Sequence, residues 1–168
     1  METIRNARAG DLPAIVAIYN ASIPGRLATA DTEPVTVGER EAWFLAFSEA
    51  RPLWVVEFEG QVAAWLSFRA FYGRPAYHRT AELGVYVAPE HHRRGFAGRL
   101  LAQAIARAPD LGIRTLLAFV FSHNQPSVAL FARHGFEGYG KLPRVAELDG
   151  VERDLLIMGL RLDARVPP

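Results

Sequence analysis

The segment Val85-Tyr-Val-Ala-Pro-Glu-His-His-Arg-Arg-Gly-Phe-Ala-Gly-Arg-Leu-Leu101 constrains this chain more than any other stretch. An alternating apolar run stops at Pro89, a basic turn follows, and an Ala/Leu-rich helical pattern begins at once. Strand, turn and helix start in that order converge several unpaired N–H groups, and the helix dipole adds partial positive charge. The sequence therefore predicts an anion site. Gly95 and Gly98 would let the main chain approach a phosphate without a Cβ between them. His91, His92, Arg93, Arg94 and Arg99 add side-chain donors. The patterns G-x-G-x-x-G and G-x-x-x-x-G-K-[S/T] are absent, which argues against a dinucleotide and a P-loop nucleotide. The expected ligand is a different phosphorylated cofactor. Taken alone, the segment also fits a solvated basic turn capping a surface helix.

At 168 residues the chain is expected to form one domain, residues 1–168, with a core of its own. Its net charge of +1 exerts no general pull on nucleic acid or a membrane surface, so neither is expected as a partner. The basic cluster at 91–99 is thus a local feature. The complete lack of cysteine excludes disulfides, thiolate nucleophiles and thiolate metal sites. His78, His123 and His134 lack the spacing of a metal set, and no metal is expected. The first residues, Met-Glu-Thr-Ile-Arg, lack the shape of a signal peptide, and no apolar run approaches about 18 residues. The cytoplasm is the expected compartment.

Residues 3–8 read as a strand, and a helix follows with Asp11 as N-cap and Pro13 in its first turn. An irregular loop at 22–37 carries Pro24, Gly25 and Pro34. Thr36 and Glu39 have capping-box spacing ahead of a helix predicted to reach about residue 50. Residues 53–58 and 61–71, joined by Glu59-Gly60, read as a hairpin. A strand at 77–87, the anion turn, a helix to about 108 and a compact strand at 114–121 follow. Asn124 then opens a helix closed by Gly135. Strands near 136–145 and 153–162 complete the order β-α-α-β-β-β-α-β-α-β-β. This order is neither a regular doubly wound fold nor a barrel. It predicts an α/β (mixed α+β) domain with one parallel crossover and otherwise antiparallel hairpins, helices covering both faces.

A second segment, Ser122-His-Asn-Gln-Pro-Ser-Val-Ala-Leu-Phe-Ala-Arg-His-Gly-Phe136, follows the compact strand. Singly, Asn124 is a plausible helix cap and Leu130 and Phe136 plausible core. Together with His92-x-x-Gly95-x-Ala97-Gly98, the segment resembles the GNAT superfamily of acyl-CoA N-acyltransferases. That family shows a Gln/Arg-x-x-Gly-x-Gly/Ala turn and an Asn-x-x-Ser-x-x-Leu-aromatic-x-x-x-Gly-Phe stretch. The resemblance implies a parallel strand pair splayed around coenzyme A and acetyl-CoA as cosubstrate. It implies diphosphate on the turn residues His92, Arg93, Arg94, Gly95, Phe96, Ala97 and Gly98, and the pantetheine arm along Val85, Tyr86, Val87, Asn124 and Ser127. There are two departures. His92 stands in the Gln/Arg slot. Phe131 stands where many relatives carry a Tyr that can protonate the departing thiolate, which leaves Tyr86 and Tyr139 as weak candidates. A thiol with a pKa of about 8.5 leaves tolerably without strong acid help.

A third stretch, Thr80-Ala-Glu-Leu-Gly-Val-Tyr-Val87, is similar to the Thr-x-Glu-x-x-Val-Tyr-Val of phosphinothricin and methionine sulfoximine acetyltransferases. The loop Asp31-Thr-Glu-Pro34 resembles their Thr-Glu-Pro. That branch acetylates the α-amine of small amino-acid-like compounds. The resemblance implies Glu82 as general base, a primary-amine substrate held by Phe71, Arg74, Tyr77 and Glu33, and a homodimer. An isolated strand glutamate can equally be a solvated outward residue, and the aromatics at 71–77 can be hairpin packing. Where that branch tends to show a basic and aromatic C-terminal run, this chain has Ala146-Glu-Leu-Asp-Gly-Val-Glu-Arg-Asp154, and an acidic wall is expected there. Two further readings remain open: acetylation of protein N-termini or lysines, and a non-catalytic module that senses acetyl-CoA.

Overall fold

A computed structural model describes residues 1–162. Seven strands form one sheet: β1 (Glu2–Asn6), β2 (Leu53–Phe58), β3 (Gln61–Ala70), β4 (Thr80–Val87), β5 (Thr115–Phe121), β6 (Glu137–Leu148) and β7 (Val151–Arg161). Their spatial order is β1-β2-β3-β4-β5-β7-β6. Only β4 and β5 run parallel; every other neighbour pair is antiparallel. Helices α1 (Leu12–Ser22), α2 (Val37–Leu45), α3 (Phe96–Arg107) and α4 (Gln125–Arg133) interleave with the strands in the predicted order.

The period-two alternation of strand side chains divides the apolar residues between two faces. On one face Trp54, Val56, Leu66, Phe68, Ala81 and Leu83 pack beneath Phe96, Leu100, Leu101 and Ala104 of α3 and Phe131 of α4. Leu53, Val55 and Trp65 point the opposite way, under Ile15 and Ile18 of α1, with Trp43 and Phe44 of α2 behind them. Leu100 and Leu101 are fully enclosed. Truncating either to alanine would cost about 2–5 kcal/mol.

The turns follow local chemistry. Glu59 and Gly60 both have positive φ, at 52° and 79°, as does the Asp149-Gly150 pair between β6 and β7. Such pairs suit the tight hairpin turns whose twist matches the strands they join. Thr36 and Glu39 form the expected reciprocal cap, with contacts of 3.2 and 2.7 Å. Three boundaries differ from the sequence expectation. Helix α2 stops at Leu45, and Ser48 and Arg51 close a turn on each other's main chain. Pro75 opens a 3₁₀ turn through Tyr77, so β4 starts at Thr80. The Asp11 carboxylate does not cap α1. It accepts the Arg8 N–H at 2.7 Å and the Arg5 guanidinium at 2.7 and 3.0 Å, because Arg5 reaches it from the neighbouring strand.

One irregularity of the sheet creates the site. β4 and β5 pair only from Thr80 to Glu82 against Thr115 to Leu117. Beyond that point β4 stays with β3 as far as Val87, and β5 stays with β7 as far as Phe121. The two strands therefore part immediately after Glu82 and leave a wedge whose walls carry main-chain groups without a strand partner.

Candidate active site

At the far end of β4 the anion turn has the predicted form. Arg93 and Gly95 adopt positive φ, 61° and 81°, and α3 begins at Phe96. Among the described residues no acceptor is found for the main-chain N–H groups of residues 93–98. The first turn of a helix always leaves such donors free, and here the preceding loop adds three more. The positive φ favours glycine at 95, and a Cβ there would lie 2.9 Å from Arg99 Nη1 and displace the end of that side chain. Gly98 differs from expectation, because the place of its missing Cβ faces the His134 ring rather than the turn.

The side chains of the turn divide into four groups. Arg93 and Arg94 are exposed and have no acidic partner among the described residues; Arg94 lies over the Phe58 ring at 5.5 Å. Arg99 is committed elsewhere, to Glu2 at 2.7 Å and to the Arg94 carbonyl at 3.0 Å. His92 donates from Nε2 to the Val87 carbonyl at 3.0 Å, which ties the turn to the strand end. Phe96 is core, and only its N–H faces the turn.

Between the two ends lies a cavity of about 630 Å³ lined by Glu82, Gly84, Val85, Tyr86, Asn124 and Ser127, among others. Asn124, 7% exposed, accepts the Ser127 N–H at 3.3 Å and donates to the Leu27 carbonyl at 3.2 Å. It thus caps α4 and pins the 22–36 loop over the cavity. Tyr86 stacks on Trp65 with centroids 4.5 Å apart and donates to the Ala28 carbonyl at 3.2 Å. Burial pushes its phenol up, so the proton stays on the Tyr86 oxygen, directed at that carbonyl. Tyr139 lies against Gly159 on the β6–β7 hairpin and is not among the cavity-lining residues. Phe131, carbon only, fills the wall opposite.

Four charged side chains line this cavity: Asp31, Arg40, Arg69 and Glu82. Asp31 and Arg40 pair at 3.1 Å; Asp31 also receives the Tyr19 hydroxyl, while Arg40 lies over the Tyr19 ring at 4.7 Å. Desolvation by burial raises Tyr19, and its contact with the Asp31 carboxylate adds to the shift. Arg69 sits directly across from Glu82 in the β3–β4 register, with Nη1 3.8 Å from Oε1. A second, outer pocket of about 420 Å³ is formed by Arg69, Ala70, Phe71, Tyr72, Glu82 and Phe119. Glu82 and Arg69 face both spaces.

Of the predicted substrate residues, Phe71 lines the outer pocket, while Arg74, Tyr77 and Glu33 line neither. Arg74 and Glu33 are exposed, and Tyr77 packs on Phe71 at 5.2 Å. The expected acidic wall is also absent. Asp149 pairs with Arg26, Asp154 with Lys141 and Glu152 with Arg144, so that stretch turns Val145, Ala146 and Leu155 toward the cavity instead. Sequence reasoning missed Arg69 and its wall mates Trp65 and Ser67. The alternation Trp65, Ser67, Arg69 against core Leu66 and Phe68 was the signal that could have found them. Among the described residues no cluster of three His, Asp or Glu side chains could hold a metal, and no helix is long and apolar enough to cross a membrane.

A mixed sheet that splays after a carboxylate, facing a donor-rich helix start, defines an acyltransferase of the GNAT kind, and the acetyltransferase (GNAT) family matches residues 14–136. The chain belongs to that family. YwnH of Bacillus subtilis, provisionally named a phosphinothricin acetyltransferase, is 52% identical over 161 residues, 95% of this chain and 99% of the relative. An L-methionine sulfoximine/L-methionine sulfone acetyltransferase of Pseudomonas paraeruginosa is 34% identical, covering 96% of this chain and 95% of its own length. A phosphinothricin acetyltransferase of Sinorhizobium meliloti, solved in complex with AcCoA, superposes with a TM-score of 0.90 at 29% identity, covering 96% of this chain and 88% of that one.

Proposed function

We propose that this chain transfers the acetyl group of acetyl-CoA to the primary amine of a small, amino-acid-like substrate, with Glu82 as general base. One observation carries the reading: Glu82 stands where β4 and β5 part, and its carboxylate faces both the inner cavity and the outer pocket. The turn residues suit coenzyme A, because unpaired N–H groups at 93–98 and a glycine held at positive φ form a cradle for a diphosphate. When bound, acetyl-CoA supplies the activated thioester.

An amino-acid amine is mostly protonated near neutral pH, and its lone pair must be freed before it can attack. Glu82 accepts that proton, directly or through a water, and the neutral amine then attacks. As the C–N bond forms and the C–S bond breaks, coenzyme A leaves as thiolate, and the second amine proton passes to it through solvent to give the free thiol. General-base help of this kind typically contributes about 10²–10⁴-fold. A main-chain N–H between Val85 and Val87, unpaired where β4 leaves β5, donates to the carbonyl oxygen as it gains charge. The hydroxyl of Tyr86 is held by Ala28 and Phe131 has none, so neither serves as a dedicated acid. The same reading includes a cytoplasmic homodimer. The exposed Tyr72 and Tyr77, with Tyr72 76% exposed, cluster on half-buried Phe71 and form a surface that a second copy would cover; the mass in solution checks this.

Thiol release from acetyl-CoA, measured over a panel of amino acids and analogues with wild type and Glu82→Gln, tests the assignment. Undiminished turnover in the variant removes Glu82 as base. Saturable coenzyme binding with no turnover of any amine removes the enzymatic reading itself.

A further inference from the structure

We propose that Arg69 reads the free carboxylate of the acyl acceptor, so that the Arg69–Glu82 pair is a template for the zwitterion of an α-amino acid. This inference rests on the assignment of Glu82 as the base and deepens it by naming the substrate class. It also places the carboxylate grip away from Arg74 and Tyr77, which the resemblance set among the substrate residues and which line neither cavity.

The argument begins from the cations in reach. Among the described residues, Arg40 and Arg69 are the cations lining the inner cavity, and Arg69 is the one lining the outer pocket. Arg40 is saturated. It makes a 3.1 Å bond to Asp31, its guanidinium lies over Tyr19 at 4.7 Å and Trp43 at 5.7 Å, and its side chain is a quarter exposed. Drawing it away would leave Asp31 without its cation. Arg69 is the opposite case. Among the described residues its one ionic contact is the 3.8 Å approach to Glu82, beyond hydrogen-bond distance, and its side chain is 55% exposed against 25% for Glu82. Its donors are therefore available, and a guanidinium fork matches a carboxylate in two parallel bonds.

Register makes the match specific. Arg69 and Glu82 are direct partners across β3 and β4, so their side chains rise on the same face from adjacent strands. An α-amino acid carries its ammonium and carboxylate on one carbon, a separation on the scale of that cross-strand pair. With the ammonium toward Glu82, the carboxylate falls to Arg69. The loose internal ion pair is exchanged for two substrate contacts, and Glu82 then faces the proton it must remove. Phe71, Tyr72 and Phe119 border the mouth where both charged groups sit. The paired acids of the β6–β7 hairpin leave apolar Val145, Ala146 and Leu155 on the wall, so no carboxylate on that wall repels an anionic acceptor.

The test compares each L-α-amino acid with its α-carboxamide and its decarboxylated amine. L-methionine sulfone, its amide and 3-(methylsulfonyl)propylamine form one such set. Wild type, Arg69→Gln, Arg69→Lys and Glu82→Gln are assayed by thiol release. Removing the charge-assisted contact, by giving wild type the amide or amine in place of the acid or by giving Arg69→Gln the acid, is expected to lower kcat/KM about 10–100-fold, chiefly through KM. In Arg69→Gln the acid and amide should converge, and Arg69→Lys should recover part of the preference. Glu82→Gln should instead lose kcat on both compounds.

A wild type that uses amides and simple amines as well as acids overturns the inference. An acid preference unchanged in Arg69→Gln also overturns it. Either result leaves the base assignment standing, because that assignment depends on the kcat of Glu82→Gln. Unchanged melting and coenzyme affinity in Arg69→Gln are expected and separate a lost substrate contact from a damaged fold.

Discussion

The two ends of the cleft are built from different materials. The end we propose for the coenzyme, residues 88–98, is made mainly of main chain: free N–H groups, a helix start and one glycine with φ of 81°. The acceptor end is made of side chains gathered from distant parts of the chain: Tyr19 of α1, Arg40 of α2, Arg69 of β3 and Glu82 of β4. A main-chain site is written contiguously and tolerates changes such as His92, whose ring serves the Val87 carbonyl rather than the turn. A side-chain site depends on register between strands, so its composition can change while the coenzyme grip stays the same. Acyl-donor binding and acceptor choice should therefore separate under mutation.

The largest expected effect is at Glu82. Glu82→Gln should lower kcat about 10²–10⁴-fold while acetyl-CoA affinity holds, because the carboxylate belongs to the acceptor end. Equal losses in affinity and kcat would erase the contrast between the two ends. Next comes Gly95→Ala, which must hold a Cβ at positive φ and push Arg99 from its place. Strain of about 1–3 kcal/mol at such a position should weaken coenzyme binding roughly tenfold by calorimetry. The preference of the remaining activity among amines should not move. A changed preference would mean that the ends are coupled.

This contrast also explains what was legible in the sequence. The order of strands and helices, the Thr36 cap, the Glu59-Gly60 turn and the anion turn could all be read because each is set by residues near one another. Glu82 could be read because its strand runs directly into the turn. The splay after Glu82 has no local signature, because it arises from β4 following β3 while β5 follows β7. Arg69 was missed for the same reason: its role depends on an antiparallel register that sequence spacing does not give. The acidic 146–154 stretch misled because counting charge ignores pairing and facing: Arg26, Lys141 and Arg144 take up Asp149, Asp154 and Glu152, and the exposed Glu147 lines neither cavity.

A third prediction concerns the frame that holds both ends in place. Arg5 bridges Asp11 and Glu57, each at 2.7 Å, and the Asp11 side chain is only 12% exposed. The bond from Arg5 holds the Asp11 carboxyl below its ordinary value, and the Arg8 N–H adds to the shift. A depressed carboxylate stabilises the fold above its unfolded pKa of about 3.9, and that contribution fades as pH falls through the folded value. Asp11→Asn should therefore lose about 1–3 kcal/mol at pH 7, and the deficit relative to wild type should shrink below about pH 4. Urea melts at both pH values check the sign. A deficit that grows on acidification would contradict the pairing.

The smallest effects are expected at Arg74 and Glu33, and they sharpen the comparison most, because both residues fall in segments that resemble substrate-binding stretches. Both side chains are exposed and line neither cavity, so alanine at either position should change kcat/KM by less than about twofold, the ordinary range for surface positions. Arg69→Gln in the same assay supplies the contrast, since its guanidinium is on the same strand face as Glu82. If Arg74→Ala instead loses as much as Arg69→Gln, the 71–77 segment must close over the acceptor in the working enzyme. Acceptor choice would then lie in a moving loop rather than in the register of two strands.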